Sequence, residues 1–198
     1  LWGAFENLKR IKSTVLKFVL APIVIFGFGF GGMFVMGSLA GSMGKFSVET
    51  SLERAAITQQ DLKRAAYGGN TFDIGDFEPT IAGVMAKAPL AINAGLFRPY
   101  LWEARNPFML LSGLENTFLL LASIFLIIKL KPVRIIKILG SNPYILFAML
   151  FSIFFAFTIG LSTSNFGSLV RYKIPIIPFY VSSLVIMLGY ERQLRKNL

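Results

Sequence analysis

The sequence predicts an all-α, polytopic helical membrane protein with about four transmembrane helices. Four long apolar runs support this prediction, and they cover residues 15–40, 107–130, 143–161 and 169–189. Each run meets or approaches the roughly 20 apolar residues that a helix needs to cross a membrane. The composition agrees, because 55% of the residues are hydrophobic and 20 are Phe, whereas soluble domains contain about 45–50% apolar residues.

The positive charge of the chain lies at the ends of the apolar runs. The net charge is +10, yet residues 45–105 contain seven acidic and seven basic side chains and are neutral. In a four-helix topology eleven bases flank one side of the membrane, and two lie in the short loop between the third and fourth runs. The positive-inside rule then predicts a bacterial inner (cytoplasmic) membrane protein with both termini cytoplasmic and residues 42–106 outside. No basic soluble face remains for nucleic acid.

Three parts of the chain follow from this topology. Residues 1–41 form a basic cytoplasmic stretch and the first transmembrane helix, residues 42–106 form an outer helical and interfacial segment, and residues 107–198 form transmembrane helices two to four with a basic cytoplasmic loop and tail. Gly27 and Gly31 in the first run would allow close helix packing; a glycine-rich helix without a dedicated partner is the alternative. Because the chain begins with leucine rather than methionine, we expect it to be incomplete or processed.

The outer segment combines extramembrane helices with an interfacial stretch. Thr50 and Glu53 fit a capping box, and strong helix formers follow, so one bent helix or two short helices are predicted over residues 51–67. Pro79 suits the first turn of another helix, and the apolar spacing after it indicates one apolar face. We expect residues 79–105 to lie on the outer membrane face; a re-entrant helix is the alternative.

Aromatic and basic side chains near the end of this segment are typical of a membrane interface. Tyr and Trp favour the headgroup level because each ring has an apolar body and a polar edge. Ring stacking on a sugar, with Arg on a phosphate, is the ligand-binding alternative. The interfacial candidates are Arg98, Tyr100, Trp102 and Arg105.

Chemistry based on thiols or imidazoles is excluded, since the chain has no Cys and no His. This removes disulfides, thiol nucleophiles and the usual zinc sites. Three acids in an outer loop would suit a hard divalent cation, but their spacing matches no calcium loop, and such residues usually form turns. These acids are Asp73, Asp76 and Glu78. We predict no cofactor and no metal, and the sequence identifies no catalytic residue.

One acidic residue, Glu115, lies inside an apolar run. An ionisable group at membrane depth costs at least about 2.5 kcal/mol and tends to be functional. Glu115, with Asn116 beside it, is therefore a candidate contact for a proton, an ion or a substrate. The alternative is a structural ion pair with a nearby base. The bases considered for that pair are Arg98, Arg105, Arg171 and Lys173.

Two cations, Arg171 and Lys173, lie on the side of the membrane that the positive-inside rule disfavours. We expect them at the amino-terminal end of the last transmembrane helix, where the helix dipole is unfavourable for cations unless an anion is present. Arg171, Tyr172 and Lys173 are therefore candidate contacts for a lipid phosphate or pyrophosphate. Snorkelling of the side chains to the headgroups is the alternative.

Two stretches resemble bacterial envelope proteins. Residues 165–180 (NFGSLVRYKIPIIPFY) resemble the last helices of membrane glycosyltransferases that use polyprenyl-phosphate donors. Residues 97–116 (FRPYLWEARNPFMLLSGLEN) resemble multi-spanning proteins encoded with polysaccharide genes. The resemblance implies a role with lipid-linked sugars or exopolysaccharide, and it carries over Arg171, Tyr172 and Lys173 as lipid-phosphate contacts. Those transferases have more helices and a catalytic carboxylate in their first outer loop, which has no counterpart before the first apolar run here.

Two functional hypotheses of different classes follow. The first is an integral membrane component of bacterial envelope polysaccharide or lipid-linked saccharide synthesis or export, alone or as part of a larger protein. The second is a non-catalytic membrane subunit that scaffolds or anchors a multi-protein envelope complex. A transporter is a third class, for which four helices are few. The expected partners are membrane lipids, including polyprenyl-phosphate-linked ones, and other membrane subunits or further copies of the chain.

Overall fold

The computed structural model describes residues 48–64 and 70–196. The first apolar run and its spaced glycines lie outside these residues, as do residues 65–69 of the outer segment. Contacts divide the chain into two compact units, Leu1–Ser51 and Leu52–Leu198. Apart from the first residues of the first helix, the fold and the site described below belong to the second unit.

Most of the described residues are helical, and the described part of the chain contains no β-strand. An isolated antiparallel bridge joins Thr71 to Asn165, and a short 3₁₀ turn covers Leu101–Glu103. The described α-helices are α1 Val48–Leu62, α2 Ile81–Phe97, α3 Pro107–Leu130, α4 Pro132–Ser141, α5 Pro143–Ser162, α6 Phe166–Tyr172 and α7 Ile176–Lys196.

Two of these helices, α3 and α5, are long and apolar enough to cross a membrane. A third span results if α6 and α7, which meet at a bend of 62°, are counted as one broken span. Among the described residues the prediction of an all-α chain with apolar helices of membrane length is confirmed to this extent. The fourth apolar run is not one straight helix, and the four-span topology stays a prediction.

Asparagine caps and prolines set where the two membrane-length helices begin. Asn106 Oδ1 accepts a hydrogen bond from the backbone N–H of Met109 at 2.8 Å. Asn142 Oδ1 accepts from the backbone N–H groups of Tyr144 and Ile145 at 3.0 and 3.2 Å. A proline follows each asparagine at the first helical position, where its missing N–H has no intrahelical partner to lose. Both helix starts are therefore encoded locally.

The described part of the outer segment begins with one regular helix. α1 runs without a break from Val48 to Leu62, so a single helix is described rather than two. Thr50 lies within this helix instead of capping it, and the predicted capping box is wrong. No proline or glycine stands immediately before Thr50 to stop the helix from extending upstream.

The start of α2 also differs from the prediction. Thr80 is the cap, because its Oγ1 accepts a hydrogen bond from the backbone N–H of Gly83 at 3.1 Å. The helix therefore begins at Ile81, and Pro79 precedes it instead of lying in its first turn. A threonine hydroxyl satisfies one of the free N–H groups of the first turn, which a proline ring cannot do.

The closest helix packing in the described fold is between α2 and α5. Gly95 and Gly160 allow it, since a Cβ atom added to Gly95 would lie 2.1 Å from the carbonyl oxygen of Ala156. A Cβ atom added to Gly160 would lie 2.0 Å from the carbonyl oxygen of Ala91. The two backbones are in direct contact, and the order of these contacts makes the helices antiparallel.

This packing bears on how residues 79–105 lie relative to a membrane. Four residues in the carboxyl-terminal half of α2 are buried, namely Ala91, Ala94, Gly95 and Leu96. This half runs along α5, which is a candidate span. Part of α2 therefore lies along a helix of membrane-spanning length. The interfacial and the re-entrant placement of residues 79–105 both stay predictions.

Candidate functional site

Lys173 lies at the break between α6 and α7. Its backbone N–H donates to the carbonyl oxygen of Leu169 at 3.0 Å, and its own carbonyl oxygen accepts from the N–H of Ile176 at 2.8 Å. Between these bonds stands Pro175, which has no N–H and disfavours helical backbone in the residue before it. The proline is the local reason that the last apolar run folds as two helices.

The ammonium group of Lys173 is almost completely buried, with 3% of the residue exposed. It donates to the carbonyl oxygens of Leu96 at 3.1 Å and Arg98 at 2.9 Å, and to Asn116 Oδ1 at 2.8 Å. An ammonium group has three protons, and each has an acceptor here. Leu96 belongs to the last turn of α2, whose free carbonyl groups carry partial negative charge. Lys173 therefore stabilises the carboxyl-terminal end of α2.

Asn116 of α3 is the other side chain of the Lys173 junction, the place where α2, α3 and the break between α6 and α7 meet. Its side chain is buried; Oδ1 accepts from Lys173, and Nδ2 donates to the carbonyl oxygen of Pro99 at 3.3 Å. One amide thus contacts both the helix break and the segment that follows α2. Gly113, one turn earlier on α3, allows this approach, because an added Cβ would lie 3.1 Å from the Cα atom of Leu101.

The segment from Arg98 to Glu103 is fixed by a second polar cluster. The guanidinium of Arg98 forms an ion pair with Glu103, including a hydrogen bond of 3.0 Å from Nε to Oε1. It also faces the rings of Phe72 and Phe166, at 4.7 and 5.6 Å from their centroids. Glu103 Oε2 in turn accepts from the backbone N–H of Tyr100 at 2.9 Å. Arg98 is therefore held within the fold and does not reach freely toward a headgroup.

The other predicted interfacial residues lie nearer the surface. Tyr100 stacks on Trp102 with 4.7 Å between ring centroids, and its hydroxyl accepts from Asn93 Nδ2 at 2.6 Å. Trp102 is exposed, and Arg105 is exposed as well. An exposed Trp stacked on a Tyr is compatible with the predicted interfacial anchor, which stays a prediction.

The structure places Glu115 on the outside of α3. It is exposed, and among the described residues it forms no ion pair with Arg98 or Lys173. Lys173 contacts the neutral amide of Asn116 instead. Consecutive helix positions differ by about 100°, so burying Asn116 turns Glu115 away from the junction. Of the four bases considered for the alternative of an ion pair, Lys173 is therefore not the partner of Glu115.

The dipole argument for an anion near Arg171 and Lys173 is wrong. Arg171 lies in the last turn of α6, and Lys173 caps the carboxyl-terminal end of that helix. Cations are stabilised at such an end, so no bound anion is needed there. Arg171 and Tyr172 are exposed, with 54% of Tyr172 accessible, and they remain candidate phosphate contacts. A phosphate on Lys173 would have to replace one of its protein acceptors.

The acidic loop is organised by a lysine. Lys63 pairs with Asp73 at 2.7 Å and Asp76 at 2.8 Å, and Asp73 Oδ1 also accepts from the backbone N–H of Gly75 at 2.7 Å. Gly75 has a φ of 80°, a conformation that favours glycine. Among residues 50–64 and 70–190 no group of acids is arranged to hold a metal ion.

We expect the acidic loop to loosen in acid. Burial alone would raise the pKa of Asp73, but the Lys63 ammonium and the Gly75 N–H outweigh this and lower it. A carboxylate whose folded pKa is depressed stabilises the fold above its unfolded pKa, about 3.9, and loses that effect as the pH falls through the folded pKa. Hydrogen exchange at the Gly75 amide should be faster in Lys63→Gln than in the wild type at neutral pH, and equal in both at strongly acidic pH. A difference that persists in acid would contradict the pairing.

Comparisons with known proteins give no family assignment. No protein-family model, no curated protein and no solved structure matches the chain. The resemblance of residues 165–180 to envelope glycosyltransferases stays a prediction, and the function has to be inferred from the geometry of the helix break.

The sequence analysis singled out three of the residues that meet at this junction but did not place them together. Arg98, Asn116 and Lys173 meet, whereas Arg171 and Tyr172 face outward. Pro99 and Leu96 were missed, because their contribution is a backbone carbonyl that carries no residue-type signal. The position of Asn116 in an apolar run was the detectable signal for a buried polar contact.

Proposed function

We propose that this chain is an integral membrane component that handles an anionic, lipid-linked saccharide in bacterial envelope polysaccharide synthesis or export. The observation that carries the proposal is the pair Arg171 and Tyr172, exposed directly before a helix break that the buried Lys173 holds in place. Candidate membrane helices adjoin this break. A polyprenyl phosphate requires polar contacts for its phosphate and, beside them, an apolar surface for its hydrocarbon chain.

The chemistry of the two exposed side chains suits a phosphate. A guanidinium presents parallel N–H donors that match two phosphate oxygens, and a phenol adds one O–H donor. Ile174, which follows at the break, is exposed as well and offers apolar contact to a hydrocarbon chain. Lys173 acts here as a positioning residue, because its own protons are used within the fold.

Removing the guanidinium should weaken lipid binding. Purified protein in mild detergent, mixed with a polyprenyl phosphate, is expected to carry the lipid in native mass spectrometry. Arg171→Gln should lower the adduct fraction about tenfold, since a hydrogen bond to a charged group contributes roughly 1.5–3 kcal/mol. The matched control is Arg64→Gln. It removes the same charge from an exposed position shortly after α1, and this variant should bind the lipid as the wild type does.

A different result would favour the scaffold hypothesis. Glu115 is exposed on a face of α3 that also exposes Leu114 and Phe118, and a carboxylate facing lipid is costly. A neighbouring subunit that covers this face would remove the cost. Equal lipid adducts in Arg171→Gln and Arg64→Gln, together with a stoichiometric second protein, would overturn the proposal and support a non-catalytic subunit.

A further inference from the structure

The exposed side of α3 carries one carboxylate among large apolar side chains. Glu115 is exposed, and every other exposed position of this helix is apolar. Leu111 and Phe118 lie about one turn before and one turn after Glu115, and they are 70% and 69% exposed. These three residues define the Glu115 face of α3.

The carboxylate lies at membrane depth in a bilayer that α3 crosses. The helix has 24 residues and is about 36 Å long at 1.5 Å per residue, whereas the hydrocarbon core is about 30 Å thick. Glu115 lies about 12 Å along the helix from Pro107. With the whole surplus of about 6 Å on the amino-terminal side, Glu115 still lies about 6 Å inside the core. A carboxylate at that depth is costly unless a partner compensates its charge.

The described part of the chain supplies no such partner. None of the ion pairs between described residues includes Glu115. Lys173 uses its three protons on other acceptors, and Arg98 is paired with Glu103. Since Glu115 is also exposed, a compensating charge has room to approach it from outside.

Charge decides which occupant suits this face. A second copy of the chain, rotated about the membrane normal, keeps Glu115 at the same depth, so two such faces in contact would bring like charges together. The first apolar run has no charged side chain between Lys17 and Lys45 and offers no base within its length. A basic residue on the membrane-spanning helix of another protein complements the carboxylate, and the apolar residues of that helix complement Leu111 and Phe118.

We infer that the Glu115 face binds a membrane-spanning helix of another protein that carries a Lys or Arg at the depth of Glu115. The two opposite charges form a charge-assisted hydrogen bond and remove the cost that each would have alone in lipid. The inference is independent of the proposed function, because it uses none of the residues proposed to contact a lipid phosphate.

Association with a designed peptide tests this face. The probe is a dansyl-labelled peptide of about 20 leucines with one lysine near its middle, and the matched probe has glutamine in place of the lysine. Each peptide is titrated against the full chain in dioleoyl phosphatidylcholine vesicles, and energy transfer from the tryptophans of the protein to the dansyl group reports association. The wild type should bind the lysine peptide about tenfold more tightly than the glutamine peptide, a difference of about 1.4 kcal/mol.

Three variants assign this preference to one carboxylate. Glu115→Gln should bind both peptides equally, and its unchanged affinity for the glutamine peptide should show that the variant is folded. Glu78→Gln removes the same charge from an exposed position before α2 and should keep the tenfold preference. Arg171→Gln should keep it as well, so that a failure of this inference is distinguished from a failure of lipid-phosphate binding.

Three results would overturn the inference. Equal binding of the two peptides to the wild type would mean that the face makes only apolar contacts. A tenfold preference retained in Glu115→Gln would mean that the lysine pairs with another acid. Self-association of the wild-type chain that Glu115→Gln abolishes would assign the face to a second copy of this chain.

Discussion

Replacing Gly95 or Gly160 with alanine is expected to destabilise the described fold strongly. The added methyl group would lie within about 2 Å of a carbonyl oxygen on the facing helix, of Ala156 for the first and Ala91 for the second. Both carbonyl oxygens belong to the helix backbone and cannot move aside as the end of a flexible side chain could. The helices α2 and α5 would therefore have to separate. Overpacking of this kind costs roughly 1–3 kcal/mol and occasionally more, and backbone contact places these two variants at the upper end.

Two other glycines provide matched controls for this prediction. Among the residues that the structure describes, no atom lies within 4 Å of a Cβ added to Gly140 in α4 or Gly189 in α7. Alanine at either position should be neutral or stabilise by up to about 1 kcal/mol through helix propensity. Thermal unfolding of the four variants in one detergent is the measurement. Equal midpoints for Gly160→Ala and Gly189→Ala would contradict the close packing of α2 on α5.

Replacing Lys173 with methionine is expected to have a comparably large effect. The substitution keeps the length of the side chain but leaves the carbonyl oxygens of Leu96 and Arg98 and the amide oxygen of Asn116 without their donor. Each buried acceptor that loses its partner costs about 1–3 kcal/mol, so a loss of at least about 3 kcal/mol is expected. The free energy of unfolding, measured with denaturant in detergent, gives the result.

The neighbouring cation supplies the control for this second experiment. Arg171→Met removes the same charge two residues away from an exposed position, and surface substitutions usually change stability by less than about 0.5 kcal/mol. A double-mutant cycle with Asn116→Leu should give a coupling of about 0.5–3 kcal/mol, as contacting residues do. Similar losses for Arg171→Met and Lys173→Met would contradict the buried junction.

The helical class and several helix ends were predictable because their causes are local. Apolar composition over about 20 residues, and a proline directly after Asn106 or Asn142, act within one helical turn or one run. Where a helix start was predicted wrongly, a competing local feature determined where the helix begins. Thr80 capped α2 in place of Pro79, and α1 continued through Thr50.

The structure places the predicted site residues in a geometry that differs from the expected one. Glu115 and Asn116 were singled out as polar groups inside an apolar run, and Lys173 as a cation expected at the start of the last transmembrane helix. Their directions were not predictable. Placing Asn116 inward and Glu115 outward depends on which face of α3 meets the helix break, and the break itself puts Arg171 at the end of α6 rather than at the start of a long helix.

The sequence by itself determined the all-α class, the apolar helices and the segregation of basic residues to their ends, since each is a property of neighbouring residues. Only the tertiary structure decided that Lys173 is a buried capping cation and that Gly95 and Gly160 are contact points. The physical reason is distance along the chain: Lys173 meets acceptors 57, 75 and 77 residues away, and two of them are backbone carbonyl groups that every residue type carries.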